Sequence, residues 1–399
     1  MHTVGVTTEA PEPPKRRRRL KGEGTVWFNA KGGRWVAAVG IRGTRRSFYG
    51  KTQAEALHKL KAAIRAGDAG TYSAPSKQTV GAFLEEWLAD LDVRQSTREF
   101  YETTCRSHLA PSALGRLRLD QMTQRDVDAF VKAKLTGPPP LAPRTVAHMR
   151  AVLRTALAQA VRWDRVPRNV VSLSAPVKVK STQVVPFSAA EARAILAAAA
   201  GDRLEALYVV ALSTGMRQGE ILGLHWKDVD LDGGTLRVLH GLRRLRTRAG
   251  GISALVVTDV KTDRSRRTVR LDPRVVAALR RHQVRQETRT QMLAGAKWRD
   301  TGLVFTTTYG TALGASNMVR SGWRGILKRA EVPYRPFHTS RHSAASFMIA
   351  AGVPIRTVMG QLGHSQMQMT SDLYTHLTAA MEVDAATRVA DMLFSDRAQ

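Results

Sequence analysis

The chain has 399 residues, and its 62 Lys and Arg against 33 Asp and Glu give a formal net charge of +29. Such a field attracts polyanions at long range, so nucleic acid is the expected partner, and the single cysteine, Cys105, excludes an internal disulfide. No stretch approaches the roughly 20 apolar residues of a membrane-spanning helix, and the charged, proline-containing N-terminus is unlike a secretory signal.

The chain begins with a strongly basic segment. Residues 1–22 are expected to be a disordered arm because prolines precede an unbroken run of positive charge. The basic run consists of Lys15, Arg16, Arg17, Arg18 and Arg19. Phosphate contact and a solvated tail are both compatible with this composition.

Residues 23–70 are predicted to form a small separate module. Aromatic and β-branched runs at 25–28, 34–39 and 45–49 predict three strands with glycine turns between them. Thr52 and Glu55 have the spacing of a capping box and predict a helix through about residue 65. A basic sheet of this size suits a DNA major groove, with Arg34, Arg45 and Arg46 as candidate contacts. A protein-interaction module is the alternative.

Residues 75–166 are predicted to form a helical domain. Apolar residues recur with helical spacing at 80–91, 101–109, 127–135 and 146–161. Ser96 and Glu99 predict a further capping box within this region. Residues 167–186 lack a regular pattern and are predicted to be a linker. Two domains joined by a flexible linker could close around a DNA duplex.

Residues 187–399 are predicted to form an α+β domain. Ser188 and Glu191 predict a capped first helix, and strands are expected near 235–240, 254–260 and 267–271. Arg243 and Arg244 are expected in the loop between the first two strands, where they could follow a DNA backbone or face solvent. Apolar residues near the C-terminus predict a final tail helix.

The first chemical motif surrounds Arg217. An apolar run at 204–212 leads into Ser213-Thr214-Gly215-Met216-Arg217-Gln218-Gly219-Glu220, which predicts a helix, a glycine turn and a second helix. The first N–H groups of a helix attract anions, so Arg217 there would reinforce an anion site. Glu220, one turn later, could hold the guanidinium.

The second motif is a predicted helix over 336–347. Spacings of three and four residues place His338, Arg341 and His342 on one helical face. Two histidines four apart are compatible with zinc, but the glutamate that a metalloprotease requires beside the first is absent. Arg341 would also repel a metal. We therefore expect no metal here.

The remaining motifs carry a lysine, a histidine and a tyrosine. Lys261 is predicted to lie in the turn of a hairpin between strands 254–260 and 267–271, from which a side chain can reach DNA. His364 follows Leu362-Gly363, and Tyr374 follows ten residues later. Taken singly, such residues are usually a solvated charge or packing residues.

Taken in order, these motifs resemble the tyrosine recombinases, also called the phage-type integrase family. That family has Arg in a T-G-x-R-x-x-E setting, a hairpin Lys, H-x-x-R, then L-G-H and a Tyr about ten residues later. The resemblance covers roughly residues 183–378. Thr339-Ser340 stands where the family usually has Asp-Leu, a departure that affects packing and leaves His338 and Arg341 in place.

The resemblance implies six catalytic residues: Arg217, Lys261, His338, Arg341, His364 and Tyr374. Tyr374 would be the nucleophile and would form a covalent phosphotyrosine, with His338 as its base and His364 as a hydrogen-bond donor. The two arginines offer planar forks to the phosphate oxygens, supported by Glu220 and His342. Lys261 would protonate the departing 5′ oxygen, a plain phosphate contact being the alternative. No cofactor is expected.

The resemblance also implies a multidomain, mainly α architecture with small β parts. Residues 23–70 would bind arm sites, 75–166 would be the core-binding domain, and 187–399 the catalytic domain, whose tail helix passes to a neighbouring subunit. The implied function is site-specific DNA recombination between attachment sites through a Holliday junction. We expect a homotetramer on double-stranded DNA, with DNA-bending and directionality proteins, in the bacterial cytoplasm near the nucleoid.

Three other function classes are the alternatives. Type IB topoisomerases use a similar set of residues, and relaxation of any supercoiled DNA rather than exchange at defined sequences would identify one. A DNA-binding regulator without catalytic activity would have no reason to hold six phosphate-chemistry residues in order. A metal-dependent nuclease would need a carboxylate cluster for paired magnesium ions, and the sequence offers none.

Overall fold

The computed structural model describes residues 24–41, 43–68, 77–180, 184–246, 253–259 and 266–363. The chain divides into two compact units, Met1–Lys180 and Ser181–Gln399. The predicted arm, the predicted tail helix and several candidate site residues lie outside the described residues. These site residues are Lys15, Arg16, Arg17, Arg18, Arg19, Lys261, His364 and Tyr374.

An antiparallel sheet and one helix form the first part of the first unit. The strands pair in the order β1-β2-β3, and they are β1 Thr25–Asn29, β2 Arg34–Ile41 and β3 Thr44–Gly50. Helix α1, Gln53–Asp68, packs Leu60 against Ala37 and Val39 of β2. Alternation along β2 turns these residues to the helix side. On the opposite face Val36 and Ala38 are buried too, but Trp27 and Tyr49 remain 38% and 46% exposed, and we call it the open face. The predicted three strands and helix are confirmed.

The start of α1 differs in detail from the predicted capping box. The Glu55 N–H donates to Thr52 Oγ1 at 3.2 Å, as in a capping box. The Glu55 carboxylate, however, accepts from the Lys51 N–H at 2.8 Å rather than from Thr52. The reciprocal bond therefore falls one residue earlier than the pattern requires.

The second part of the first unit is helical, as predicted. Its helices are α2 Val80–Asp90, α3 Gln95–Thr104, α4 Ala113–Arg116, α5 Gln124–Thr136 and α6 Pro143–Arg162. The predicted capping box at Ser96 and Glu99 is wrong, because α3 begins at Gln95 and Ser96 lies inside its first turn. A full capping box is formed instead by Thr123 and Asp126 at the start of α5.

The second unit is also mainly helical. Its helices are α7 Ala189–Ala198, α8 Glu205–Thr214, α9 Gln218–Leu222, α10 Pro273–Val284, α11 Gln291–Ala294, α12 Ala315–Met318, α13 Arg324–Arg329, α14 Thr339–Ala350 and α15 Ile355–Leu362. The predicted capping box of Ser188 and Glu191 at α7 is confirmed. Tyr208 of α8 packs on Trp323, which also contacts Phe187 and Phe337. This aromatic cluster fixes α8 near the start of α14.

Strand pairing in the second unit differs from the predicted hairpin around Lys261. The strands are β4 Val229–Asp230, β5 Thr235–Val238, β6 His240–Arg246, β7 Ser253–Asp259 and β8 Arg267–Arg270. Among the described residues, β8 pairs with β5 in the sheet β4-β5-β8, whereas β7 pairs with β6. The two strands that flank Lys261 therefore belong to different sheets.

Burial explains this pairing. Val269 of β8 and Leu236 of β5 are paired and fully buried in the core. Val256 and Val257 of β7 remain about a third exposed, at 37% and 36%. The core thus selects β5 as the partner of β8. Arg243 and Arg244 lie within strand β6 rather than in the predicted loop.

The end of the described chain is packed against α14. Val358 and Leu362 of α15 form a small buried cluster with Ala345 and Ile349 of α14. This contact brings the C-terminal end of α15 to the turn between α8 and α9. None of the helices within the described residues has the length and apolar character to cross a membrane.

Candidate active site

Arg217 lies in the turn between α8 and α9. Gly215 ends α8 with φ of +66°, a conformation that other residues adopt at a cost. Arg217 is next to the start of α9, and its backbone N–H donates to Glu220 Oε2 at 2.9 Å. Its Nη1 donates to Glu220 Oε1 at 2.8 Å. Because α9 has only five residues, the attraction for anions lies in the guanidinium rather than in a helix dipole.

Arg341 lies in the first turn of α14 and is buried, with 3% of its surface exposed. Its Nη1 donates to the Gly215 carbonyl at 2.7 Å, and its Nη2 donates to the Leu362 carbonyl at 2.8 Å. These bonds tie α14 both to the turn that carries Arg217 and to the end of α15. Two arginines far apart in the sequence are thereby held together.

The two histidines of the second motif lie beside Arg341. The rings of His338 and His342 meet edge to face, with centroids 5.1 Å apart. No group of three His, Cys, Asp or Glu among the described residues is arranged to hold a metal ion. These histidines lie next to Arg341, whose charge opposes their protonation.

A third arginine, Arg267, which the sequence motifs did not single out, lies beside Arg217 and Glu220. Its side chain is 7% exposed and its Nη2 donates to Glu220 Oε2 at 2.8 Å. Its Nε donates to the Gln361 carbonyl at 2.6 Å. Strand alternation could have revealed it, since Arg267 alternates in phase with Val269 of β8 and with Leu271 just after it, both of which are buried.

The three arginines converge on the last carbonyls of α15. Arg267 donates to Gln361, Arg341 to Leu362, and Arg217 Nη2 to Gly363 at 3.0 Å. A helix C-terminus carries partial negative charge and unpaired carbonyls, so it suits cations. We call Arg217, Arg267, Arg341 and Glu220 the arginine cluster.

The electrostatics of the arginine cluster favour an anion. Its three arginines and one glutamate together carry a formal charge of +2. Burial would raise the pKa of Glu220, but bonds from Arg267, and then from Arg217, outweigh it and lower that pKa. Burial, followed by the charge of Arg217, lowers the pKa of Arg341 to about 9, which leaves it cationic at pH 7.

His338 and His342 are neutral at pH 7. Loss of solvation, then the neighbouring His342, Arg341 and Arg217, lowers the pKa of His338 to about 4. Loss of solvation and the charge of Arg341 also lower the pKa of His342. His338 is nevertheless exposed to solvent, which screens some of this effect. Neutral imidazole can accept a proton, as a general base must.

Lys261, His364 and Tyr374 lie outside the described residues, but the chain just before His364 is described, as is the chain on both sides of the segment that holds Lys261. Gly363, which precedes His364, accepts the bond from Arg217. Asp259, two residues before Lys261, accepts from His240 at 3.1 Å and forms an ion pair with Arg266 at 3.5 Å. The structure thus brings together Arg217, Glu220, His338, Arg341 and His342, and adds Arg267.

The candidate DNA contacts of the N-terminal sheet lie on different faces. Arg34 stacks its guanidinium 4.4 Å from the ring centre of Tyr49. By strand alternation Arg34, Tyr49 and Arg45 share the open face, whereas Arg46 points to the helix side. Arg243 and Arg244, as neighbours in β6, likewise point to opposite faces of the β6-β7 ribbon. Of Arg45 and Arg46, and likewise of Arg243 and Arg244, only one side chain can therefore contact a DNA duplex that lies against one face of the sheet.

Comparison with known proteins gives a consistent result. A sequence model of the phage integrase family matches residues 186–381. The integrase of Streptomyces ambofaciens is 33% identical over 380 residues, covering 90% of this chain and 93% of that protein. A tyrosine recombinase XerC-like protein of Caldanaerobacter subterraneus subsp. tengcongensis is 30% identical over 365 residues, covering 87% and 92%.

Two solved structures share the fold. The Tn1549 transposon integrase in complex with a circular intermediate DNA is 21% identical, with a TM-score of 0.64 over 79% of this chain and 100% of that one. A lambda integrase tetramer bound to a Holliday junction is 17% identical, with a TM-score of 0.52 over 90% and 96%. The predicted fold class, mainly helical with small sheets, is confirmed.

Proposed function

Because the chain belongs to the phage integrase family, the tyrosine recombinases, we propose that it recombines DNA at specific sites for a phage or mobile element. The observation that carries the proposal is the arginine cluster, in which Arg217 and Arg341 meet at the end of α15. A net charge of +2 fits a phosphodiester, on which negative charge builds during attack. Site-specific exchange, rather than general relaxation of DNA, agrees with the integrases among the relatives.

Arg217 and Arg341 would hold the non-bridging oxygens of the scissile phosphate. A guanidinium has five N–H donors. Within the described residues each of the two guanidinium groups uses its Nη atoms on one partner apiece, which leaves N–H groups for the substrate. Their planar forks match phosphate geometry better than a lysine would. Their permanent charge stabilises the transition state.

Tyr374 would carry out the covalent step. Its phenolic oxygen attacks phosphorus, the bond from phosphorus to the 5′ oxygen breaks, and a 3′-phosphotyrosine forms. Neutral His338 takes the phenol proton, Lys261 gives a proton to the departing 5′ oxygen, and His364 donates a hydrogen bond to the phosphate. One phosphate ester replaces another, so the step needs no external energy source or cofactor.

Strand exchange would follow from the same chemistry in reverse. The 5′ hydroxyl of a partner strand attacks the phosphotyrosine, which releases Tyr374 and joins the new strands. Exchange of one pair of strands gives a Holliday junction, and exchange of the second pair resolves it. The lambda integrase tetramer bound to such a junction supports a homotetramer on double-stranded attachment sites as the working assembly. DNA-bending and directionality proteins would assist it.

The division of labour along the chain is part of the proposal. Residues 1–22 and 23–70 would bind arm sites, 75–166 would grip the core site, and 187–399 would cleave it, with 167–186 as the linker. The open face of the N-terminal sheet supports the arm-site role, because it presents Arg34 and Arg45 beside exposed Trp27 and Tyr49. Such a face combines phosphate contacts with groups that reach base edges.

The test is formation of the phosphotyrosine. A core site is sought in the DNA that flanks the gene, as a short imperfect inverted repeat with direct repeats beside it. Protein is then incubated with the nicked site in the presence of a chelator. Denaturing electrophoresis should show a covalent adduct for the wild type and for the control Tyr309→Phe, whose ring is exposed. Tyr374→Phe should bind the DNA and yield none.

Two results would contradict the proposal. One is an adduct that persists in Tyr374→Phe, which would place the nucleophile elsewhere. The other is an adduct that requires magnesium, which would indicate a metal-dependent nuclease. A third result would favour the topoisomerase alternative: relaxation of a supercoiled plasmid that lacks the core site at the same rate as a plasmid that contains it.

A further inference from the structure

Arg267 is a buried charge on a strand whose other inward residues are apolar. It shares the inner face with Val269 of β8 and with Leu271, the residue that follows β8, of which 1% and 9% are exposed. A guanidinium at such a position loses hydration and is tolerated only when its N–H groups are paired. Arg267 has those partners: both oxygens of Glu220, at 2.8 and 3.4 Å, and the Gln361 carbonyl. The position therefore holds a specific ionic contact instead of an apolar side chain.

One partner of Arg267, Glu220, also supports Arg217, and the other, Gln361, lies close in the chain to a second support. Glu220 Oε1 accepts from Arg217 Nη1, while Glu220 Oε2 accepts from Arg267 Nη2 and from the Arg217 backbone N–H. Gln361 lies two residues before Gly363, whose carbonyl accepts from Arg217 Nη2. Arg267 thus holds Glu220, which accepts from Arg217 Nη1, and holds the chain two residues before the carbonyl that accepts from Arg217 Nη2.

Exposure separates the roles of the two arginines. The Arg217 side chain is 38% exposed and can meet a phosphate, whereas the Arg267 side chain is 7% exposed and cannot. Arg267 can instead act on the reaction through its contacts with Glu220 and with the end of α15. The same end of α15 also binds Arg341 and leads directly to His364.

We infer that Arg267 is a positioning residue for DNA cleavage, which orients Arg217 through Glu220 and holds the end of α15 that precedes His364. This inference rests on the proposed function. Without Arg267, Glu220 would have one cationic partner and would draw the Arg217 guanidinium inward, away from the phosphate. A misplacement of about 1 Å in a preorganised site costs on the order of a hundredfold in rate.

The experiment compares Arg267→Gln with Arg270→Gln in the full chain. Arg270 lies on the same strand but is exposed, so its replacement removes an equal charge without touching the cluster. The rate of adduct formation is measured on a nicked core site with an ordinary phosphodiester and on one with a methylphosphonate, whose neutral phosphorus has less need of Arg217. DNA affinity and the unfolding midpoint are measured for every variant.

We expect Arg267→Gln to slow adduct formation by about tenfold to a hundredfold on the phosphodiester, at unchanged DNA affinity. The loss should be several-fold smaller on the methylphosphonate. In an Arg217→Ala background, Arg267→Gln should cost almost nothing further, because the group it positions is gone. Arg270→Gln should match the wild type in every assay. Arg267→Lys, which keeps the charge but lacks the fork, should restore part of the rate.

Three results would overturn the inference: a wild-type rate for Arg267→Gln, an equal loss on both substrates, or a full additional loss in the Arg217→Ala background. An equal loss on both substrates with a lowered unfolding midpoint would mark Arg267 as structural only. If Arg267→Gln does not fold, the ratio of rates on the two substrates for Arg267→Lys decides by the same criteria. Absence of any wild-type adduct would refute the proposed function itself, and this inference with it.

Discussion

Gly215 offers a sharp test of how the turn between α8 and α9 supports the site. Its φ of +66° lies in the left-handed region, and a Cβ there would stand 2.5 Å from Leu362 Cδ2 and 3.2 Å from Ala344 Cβ. Leu362 is fully buried, so its side chain has little room to withdraw. Gly215→Ala should therefore disturb the point where α8, α14 and α15 meet.

The expected magnitude has two parts. A left-handed conformation costs an alanine about 1–2 kcal/mol. The contact with Leu362 is 0.9 Å short of the 3.4 Å at which ordinary contact begins, and such overpacking costs roughly 1–3 kcal/mol. The sum is a loss of about 2–5 kcal/mol in the free energy of unfolding of the second unit. If the backbone moves to relieve the 0.9 Å shortfall, the Gly215 carbonyl moves away from Arg341 Nη1. Such a displacement should reduce adduct formation by on the order of a hundredfold.

Gly201 provides the matched control. It has φ of +75°, but nothing lies within 4 Å of the Cβ it would gain. Gly201→Ala should lose only the backbone part, about 1–2 kcal/mol, and keep the wild-type rate of adduct formation. Hydrogen exchange of peptides from α8 and α14, followed by mass spectrometry, reports the stability of the second unit separately from the first. Equal losses in the two variants, or a wild-type rate for Gly215→Ala, would refute the reasoning.

Two further predictions follow from the site and from the N-terminal module. Adduct formation should stay level on acidification from pH 6.5 and fall only as the pH approaches about 4, the lowered pKa of His338, because His338 accepts a proton only while neutral. The rate is measured against pH with the folded fraction recorded at each point; His338→Gln should be slow and flat across this window, and a sloping profile in that variant would exclude the assignment. A chain that begins near residue 73 should still form the adduct on an isolated core site but lose binding to the accessory repeats, as measured by gel shift at several salt concentrations. Full recombination by this shortened chain would show that the N-terminal module does not bind arm sites.

Much of the local structure was predictable from the sequence because it depends on short spacings. A capping box requires two polar side chains three residues apart, and Ser188 with Glu191 meets that condition. Arg217 and Glu220 are likewise close enough for the backbone to bring them together. Ser96 and Glu99 have the right spacing but do not form a capping box, because α3 begins at Gln95 and Ser96 lies inside its first turn.

Long-range partners were decided only by the tertiary structure. Arg267 and Glu220 are 47 residues apart, and no spacing rule joins them. Among the described residues, strand β8 pairs with β5 rather than with its sequence neighbour β7. Burial of Val269 against Leu236 stabilises this pairing more than the short connection between β7 and β8 would stabilise a hairpin. The cluster of three arginines at the end of α15 arises in the same way. Packing of Leu362 and Val358 on α14 brings a helix end, with its unpaired carbonyls, to Arg217 and Arg341, which the motifs predicted, and to Arg267, which they did not.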